Sequence, residues 1–92
     1  MIIDTPMDGL IQNYIDFLII ERGLSHNSIE SYSADLAGFG DFLEENQIGD
    51  MTQADTTVIL AWLIHLAKKG LSSKSRARHL ITIRGFYKYL IS

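Results

Sequence analysis

The chain has 92 residues, 47% of them apolar, which suits one compact domain with a single core. It has no cysteine, so a disulfide framework and a cysteine-based zinc site are excluded. No apolar run approaches the roughly 18 residues of a membrane span, and the first twenty residues, with Asp4, Asp8 and Asp16 and no basic start, do not read as a signal peptide. The net charge of −3 alone argues against a polyanionic partner, but the charges are segregated. Residues 1–67 hold all eleven acids and one base, Arg22, for −10. Residues 68–92 hold Lys68, Lys69, Lys74, Arg76, Arg78, Arg84 and Lys88 with no acid, for +7. That asymmetry puts one basic surface on an acidic body. A solvated helix face paired with acids of a neighbouring helix accounts for the same distribution.

No strand pattern is present, and apolar residues recur at helical spacing in four segments. The first spans about 7–22, with Leu10, Ile11, Tyr14, Ile15 and Leu18 on one stripe. Gly23 ends it, because glycine enters the left-handed region without steric cost. Ser25 is placed to cap a second helix over about 26–46, with Ile29, Tyr32, Leu36, Phe39 and Leu43 inward. Gly38 and Gly40 weaken that helix, which predicts a neighbouring helix crossing closely there. The stretch NQIGDMTQAD is a loop whose Ile48 plugs the core. Thr52 or Asp55 caps a third helix over about 55–69, with Ile59, Trp62, Leu63 and Leu66 inward. Gly70 breaks it, and Ser72 caps a fourth over about 73–91, with Leu80, Ile83, Tyr87 and Leu90 inward. The joints are short, so the expected architecture is all-α: a four-helix bundle forming one domain over 1–92.

The second and fourth helices are both introduced by Gly-Leu-Ser. A serine there accepts an amide hydrogen bond from the first turn. A helix start also carries unpaired amides and about half a positive charge, which proteins often neutralise with Asp or Glu. Here the first turns read His26-Asn27-Ser28 and Ser73-Lys74-Ser75, with no carboxylate. Hydroxyls, an amide, an imidazole and a lysine are groups that hold phosphate. On a helical wheel, Lys74, Arg78, Thr82 and Lys88 fall opposite the apolar stripe of the fourth helix, with Arg84 at the flank. Such a row can lie along a phosphate backbone and reach guanine edges with its arginines. Asn27, Ser28 and Ser31 extend it onto the second helix, whose later acids, Asp35, Asp41, Glu44 and Glu45, are expected to face away from DNA. Arg22 either caps a helix end or joins the basic surface.

Taken together, FLIIERGLSHNSIESYSADLAGFGDFL and GLSSKSRARHLITIRGFYKYL resemble the N-terminal core-binding, SAM-like domain of the tyrosine recombinases, the phage-integrase superfamily, and within it the bacterial Xer-type enzymes. The likeness rests on Glu21 to Ser25, Ser31-Tyr32, Asp35-Leu36, Phe39 and Leu43. It continues through Gly70 to Ser72, Ser75, Ala77-Arg78, Leu80, Ile83-Arg84, Phe86-Tyr87 and Tyr89-Leu90. The resemblance implies a four-helix domain forming half of a C-shaped clamp, with its second and fourth helices across the major groove. It also implies that the catalytic residues belong to a separate C-terminal domain, so that this region cuts nothing by itself. Gly38 and Gly40 depart from the pattern, as does the absence of a base at Ala37 or Gly38.

Other residues invite weaker readings. Tyr32, Tyr87 and Tyr14 lie on apolar stripes and read as core aromatics rather than nucleophiles. His26, His65 and His79 are too scattered for a metal site, and His79 reads as packed inward. Asp41, Glu44 and Glu45 read as solvated surface, not an acid–base pair. Trp62 reads as a core anchor.

The expected function is therefore duplex DNA binding in cytoplasmic recombination and integration. Ser25, His26, Asn27, Ser28, Ser31, Ser72 and Ser73 would position phosphates, with Lys74, Thr82, Arg84 and Lys88 along the row. Arg78 is the candidate for a base contact. Expected partners are double-stranded DNA and further recombinase protomers touching through the first helix, with no cofactor, metal, membrane or small-molecule substrate. The alternative is a helical protein-interaction module whose basic fourth helix binds an acidic partner.

Overall fold

The computed structural model describes residues 6–49, 52 and 54–91, with side chains from residue 9 onward. Four helices follow in order: α1 (Pro6–Arg22), α2 (His26–Glu45), α3 (Thr56–Lys68) and α4 (Ser73–Ile91), and no strand occurs among the described residues. Their bounds fall within one or two residues of the periodicity reading. Of the connecting loop, residues 50, 51 and 53 lie outside those described.

The joints are built as their residue types dictate. Gly23 and Gly70 take φ of 58° and 91°, the left-handed values that end a helix without Cβ strain. After α3, the Leu71 amide donates to the Leu66 carbonyl and the Gly70 amide to the Ala67 carbonyl. This is a Schellman turn, and it sends Leu71 back onto the core. Of the two cap candidates for α3, Asp55 is the one used, with Oδ1 accepting from the Val58 amide at 3.0 Å.

The end of α2 uses the same turn with an unfavourable residue. The Ile48 amide donates to the Leu43 carbonyl at 2.8 Å and Gln47 donates to Glu44 at 3.0 Å. Ile48 thereby packs against the core, as its sequence position suggests. Gln47 holds φ at 62°, where a Cβ crowds the following carbonyl. Gln47→Gly is expected to raise stability by roughly 0.5–1 kcal/mol despite the added freedom of the unfolded chain. Urea denaturation of the two proteins reads this as a higher midpoint with an unchanged slope.

The core is centred on Leu36, Phe39, Leu43, Ile83 and Phe86, all fully buried, with Tyr14, Ile15, Leu18, Trp62 and Leu66 around them. Rings tie the helices together. Tyr14 of α1 meets Phe86 of α4 edge-on at 5.5 Å. Trp62 of α3 meets Phe39 and Phe42 of α2 at 5.8 and 5.2 Å, and His79 of α4 edge-on at 5.9 Å.

One expectation is corrected here. The buried face of α4 runs through His79, Thr82, Ile83 and Phe86, whereas Leu80, Tyr87 and Leu90 are only half-buried. The helix is thus turned relative to the stripe Leu80, Ile83, Tyr87, Leu90: Phe86 is fully buried on this face, and Thr82 can be buried beside it because α2 supplies a hydrogen-bond partner. A neighbouring helix does pack on α2 at the expected glycine: a Cβ on Gly38 would sit 3.5 Å from the Trp62 ring of α3, an ordinary contact. A tighter approach lies at Gly85, where a Cβ would sit 2.7 Å from the Tyr14 hydroxyl oxygen at the far end of that side chain.

Candidate nucleic-acid interface

α2 and α4 pack against each other. Tyr32 shares a cleft with residues from Lys74 to Ile81, Asp35 bonds to Arg78 and Thr82, and the Phe39 ring meets Tyr87. These contacts join the middle of α2, from Tyr32 to Phe39, to α4 as far as Tyr87.

The N-termini of α2 and α4 are built alike. Ser25 Oγ accepts from the Ser28 amide at 3.3 Å and pairs with Ser28 Oγ at 3.1 Å. Ser72 Oγ accepts from the Ser75 amide at 3.2 Å and pairs with Ser75 Oγ, also at 3.2 Å. The remaining first-turn amides of each helix have no partner within it, and neither first turn carries an acid. Ser25 and Ser72 are occupied as caps, so Ser28 and Ser75 are the hydroxyls with a hydrogen to offer. Ser75 stands in the first turn that the sequence singles out, but is not among the phosphate contacts expected from it. The matching Ser-x-x-Ser spacing of 25/28 and 72/75 was the signal that could have found it. Ser73, Asn27 and Lys74 are exposed beside these caps, and Ser31 is half-buried one turn along α2. His26 is exposed but engaged, its Nε2 3.0 Å from Glu30 Oε1 one turn on.

Between the helices lies a polar cluster that the sequence did not reveal. Asp35 is only 2% exposed, and it faces α4 rather than solvent. Arg78 donates to it through a two-pronged fork, Nε to Oδ2 at 3.0 Å and Nη2 to Oδ1 at 2.8 Å. The Thr82 hydroxyl lies 3.2 Å from Asp35 Oδ2 and 3.0 Å from the Arg78 carbonyl. Thr82 is consequently buried and leaves the outward row in which it was expected. Arg78 stays about half exposed, but it is an ion-paired guanidinium rather than a free one. The hydrogen bond to Asp35 raises its pKa above the ordinary arginine value against the opposing effect of burial.

His79 completes the cluster, with Nε2 3.4 Å from Asp35 Oδ1 and Nδ1 buried without a protein partner. Burial pushes its pKa below the usual 6.5, Asp35 opposes this, and Arg78 adds to it. A histidine held neutral in the fold contributes fully above its unfolded value of 6.5. Below that pH the unfolded chain takes up the proton first, so the contribution falls until His79 itself protonates. The stability advantage of the wild type over His79→Gln is therefore expected to shrink between pH 7 and pH 5. Paired urea titrations across that range check it.

Two clefts flank the outward side of α4. One, of about 470 Å³, is lined by Tyr32, Lys74, Ser75, Ala77, Arg78 and Ile81. The other, of about 330 Å³, opens between α1 and α4, where Arg22 and Lys88 stand over Tyr14, Tyr32 and Gly85. Arg22 thus joins the basic surface. Burial raises the pKa of the Tyr14 hydroxyl here, Tyr32 adds to that, and Arg22 opposes it, which does not make Tyr14 a ready nucleophile. Arg84 lies on the opposite flank, lining a separate cleft with Asp55 at the start of α3. Asp41, Glu44 and Glu45 are exposed on the later turns of α2.

A domain of four helices in this order matches a known class. The chain belongs to the family described as phage integrase, N-terminal SAM-like domain, which matches residues 11–92. It is 41% identical over 85 residues to Tyrosine recombinase XerD of two Staphylococcus epidermidis strains, RP62A and ATCC 12228. It is 39% identical over 85 residues to Tyrosine recombinase XerD of Staphylococcus aureus strain Mu50. In each case the match covers 92% of this chain and 29% of the relative, so the chain spans less than a third of the length of these relatives. No solved structure matches the chain significantly. Among the described residues, no helix is long and apolar enough to cross a membrane.

Proposed function

We propose that this domain binds duplex DNA as the N-terminal half of the clamp of a site-specific tyrosine recombinase, acting in the cytoplasm beside further recombinase protomers. The observation that supports the reading is the like construction of the α2 and α4 N-termini. Neither first turn carries an acid, Ser28 and Ser75 are hydroxyl donors, and Lys74 is exposed in the first turn of α4. A phosphate backbone suits such helix starts, because its charge is matched by helix dipoles, amides and one ammonium together. Lys88 and Arg22 extend the same face toward α1. Nothing in the arrangement resembles a catalytic constellation, and we assign strand cleavage to a different domain of the full-length protein.

The rival reading, an acidic protein partner on the basic face of α4, makes a different prediction. Phosphate contacts release counterions, so DNA affinity should fall linearly on a log–log plot against salt. Lys74→Gln and Lys88→Gln are each expected to flatten that slope by about 1. Fluorescence anisotropy on a labelled duplex at several salt concentrations measures it. A wild-type affinity indifferent to salt favours the protein partner.

A further inference from the structure

We infer that Ile81 is a sequence-reading residue of this face, making an apolar contact to the 5-methyl group of thymine in the major groove. The inference rests on the DNA-binding reading above. Ile81 sits in the middle of α4 and is 65% exposed. It lines both clefts that flank the outward side of the helix, one with Lys74 and Arg78, the other with Arg22 and Lys88. No carboxylate lines either cleft. Ile81 is therefore an apolar ridge between two basic troughs.

The fold gives no packing reason for that ridge. A buried isoleucine stabilises by roughly 1.5–3 kcal/mol, and this one forgoes most of it. The cations around it select a polyanion as the partner, and a polyanion has few apolar groups to offer. On the base edges of the major groove that group is the thymine methyl. The neighbouring residues suit such an approach. Ala77, one turn earlier, is small and exposed, and it leaves the ridge open toward the helix N-terminus. Arg78 alongside is held by the Asp35 fork, so it does not sweep across the ridge.

The test compares a short A·T-rich duplex with the same duplex carrying uracil for every thymine, which removes only the methyl groups. Wild-type chain is expected to bind the thymine duplex tighter by about fourfold for each methyl contacted. Ile81→Ala should bind the uracil duplex like the wild type and lose the preference, whereas Ile81→Val, which keeps a branched methyl surface, should retain it. Equal wild-type affinity for the two duplexes overturns the inference, as does an Ile81→Ala variant that still prefers thymine. Absence of salt-dependent binding to either duplex instead overturns the DNA-binding reading on which it rests. Because Ile81 is exposed, its variants should unfold within about 0.5 kcal/mol of the wild type, and urea titration verifies that they are folded.

Discussion

Arg78→Ala is expected to destabilise the domain by about 3 kcal/mol, although Arg78 is itself half exposed. The loss comes from the partner left behind. Asp35 is 2% exposed, and without the fork its charge is left facing only the Thr82 hydroxyl and the edge of His79. Water can solvate a freed guanidinium at this surface, but it cannot reach the carboxylate to the same extent. Removing one member of a buried pair commonly costs about 3–5 kcal/mol, and the exposure of Arg78 places the effect at the low end. Against a total stability on the order of 5–15 kcal/mol for a domain, that is a large fraction.

The same reasoning predicts the rescue. Replacing Asp35 by Asn in the Arg78→Ala background removes the stranded charge and should recover part of the loss. A double-mutant cycle on urea midpoints then gives a coupling well above the few tenths of a kcal/mol seen between independent sites. Additive single effects would show that the fork does not hold the helices together. One consequence bears on function. Loss of DNA binding in Arg78→Ala cannot be read as loss of a DNA contact until the folded fraction is known. Lys74 and Lys88, exposed and unforked, are the cleaner probes.

Phe86→Ala should cost about 3–5 kcal/mol, the range for truncating a fully buried aromatic. Phe86 is 0% exposed and stands at the meeting of α1 and α4. Its ring is edge-on to Tyr14 at 5.5 Å and to Tyr87 at 5.5 Å. Truncation would leave a cavity beside the Tyr14 ring, which is itself fitted against the bare backbone of Gly85, so the site has little room to collapse. Thermal unfolding followed by circular dichroism should show a large drop in midpoint or no cooperative transition. Ile91→Ala, at a position 86% exposed, serves as the contrast and should shift stability by less than about 0.5 kcal/mol. Equal shifts for the two would mean that the core is not centred where the packing puts it.

Phe86 also shows why part of the fold was hidden in the chain. Read from periodicity, the inward stripe of α4 ran through Leu80, Ile83, Tyr87 and Leu90. On that wheel Thr82 falls on the outward side, with the bases. Asp35, Arg78 and Thr82 each look solvent-facing on their own helix, because a helical wheel scores a residue by type and has no knowledge of the helix opposite. Once α2 brings a carboxylate to the interface, a threonine and one edge of an arginine become good core-edge residues. The face that α4 buries is centred on Ile83 and Phe86, with these polar residues at its edge. The approach at Gly85 is hidden in the same way, because it depends on where the Tyr14 hydroxyl of α1 lies.

What the amino-acid order settled without help was local. Gly23 and Gly70 end helices by admitting positive φ, Ser25, Asp55 and Ser72 cap the next ones, and the run of bases after residue 67 marks a charged surface. These effects act within about one helical turn, so neighbours in sequence suffice to fix them. The tertiary structure decided what needs two helices at once: that Arg78 is tied to Asp35, that Thr82 is buried beside them, and that Ile81 stands between basic clefts. Those depend on the rotation of each helix about its axis, which is set by packing and by hydrogen bonds to partners more than forty residues away.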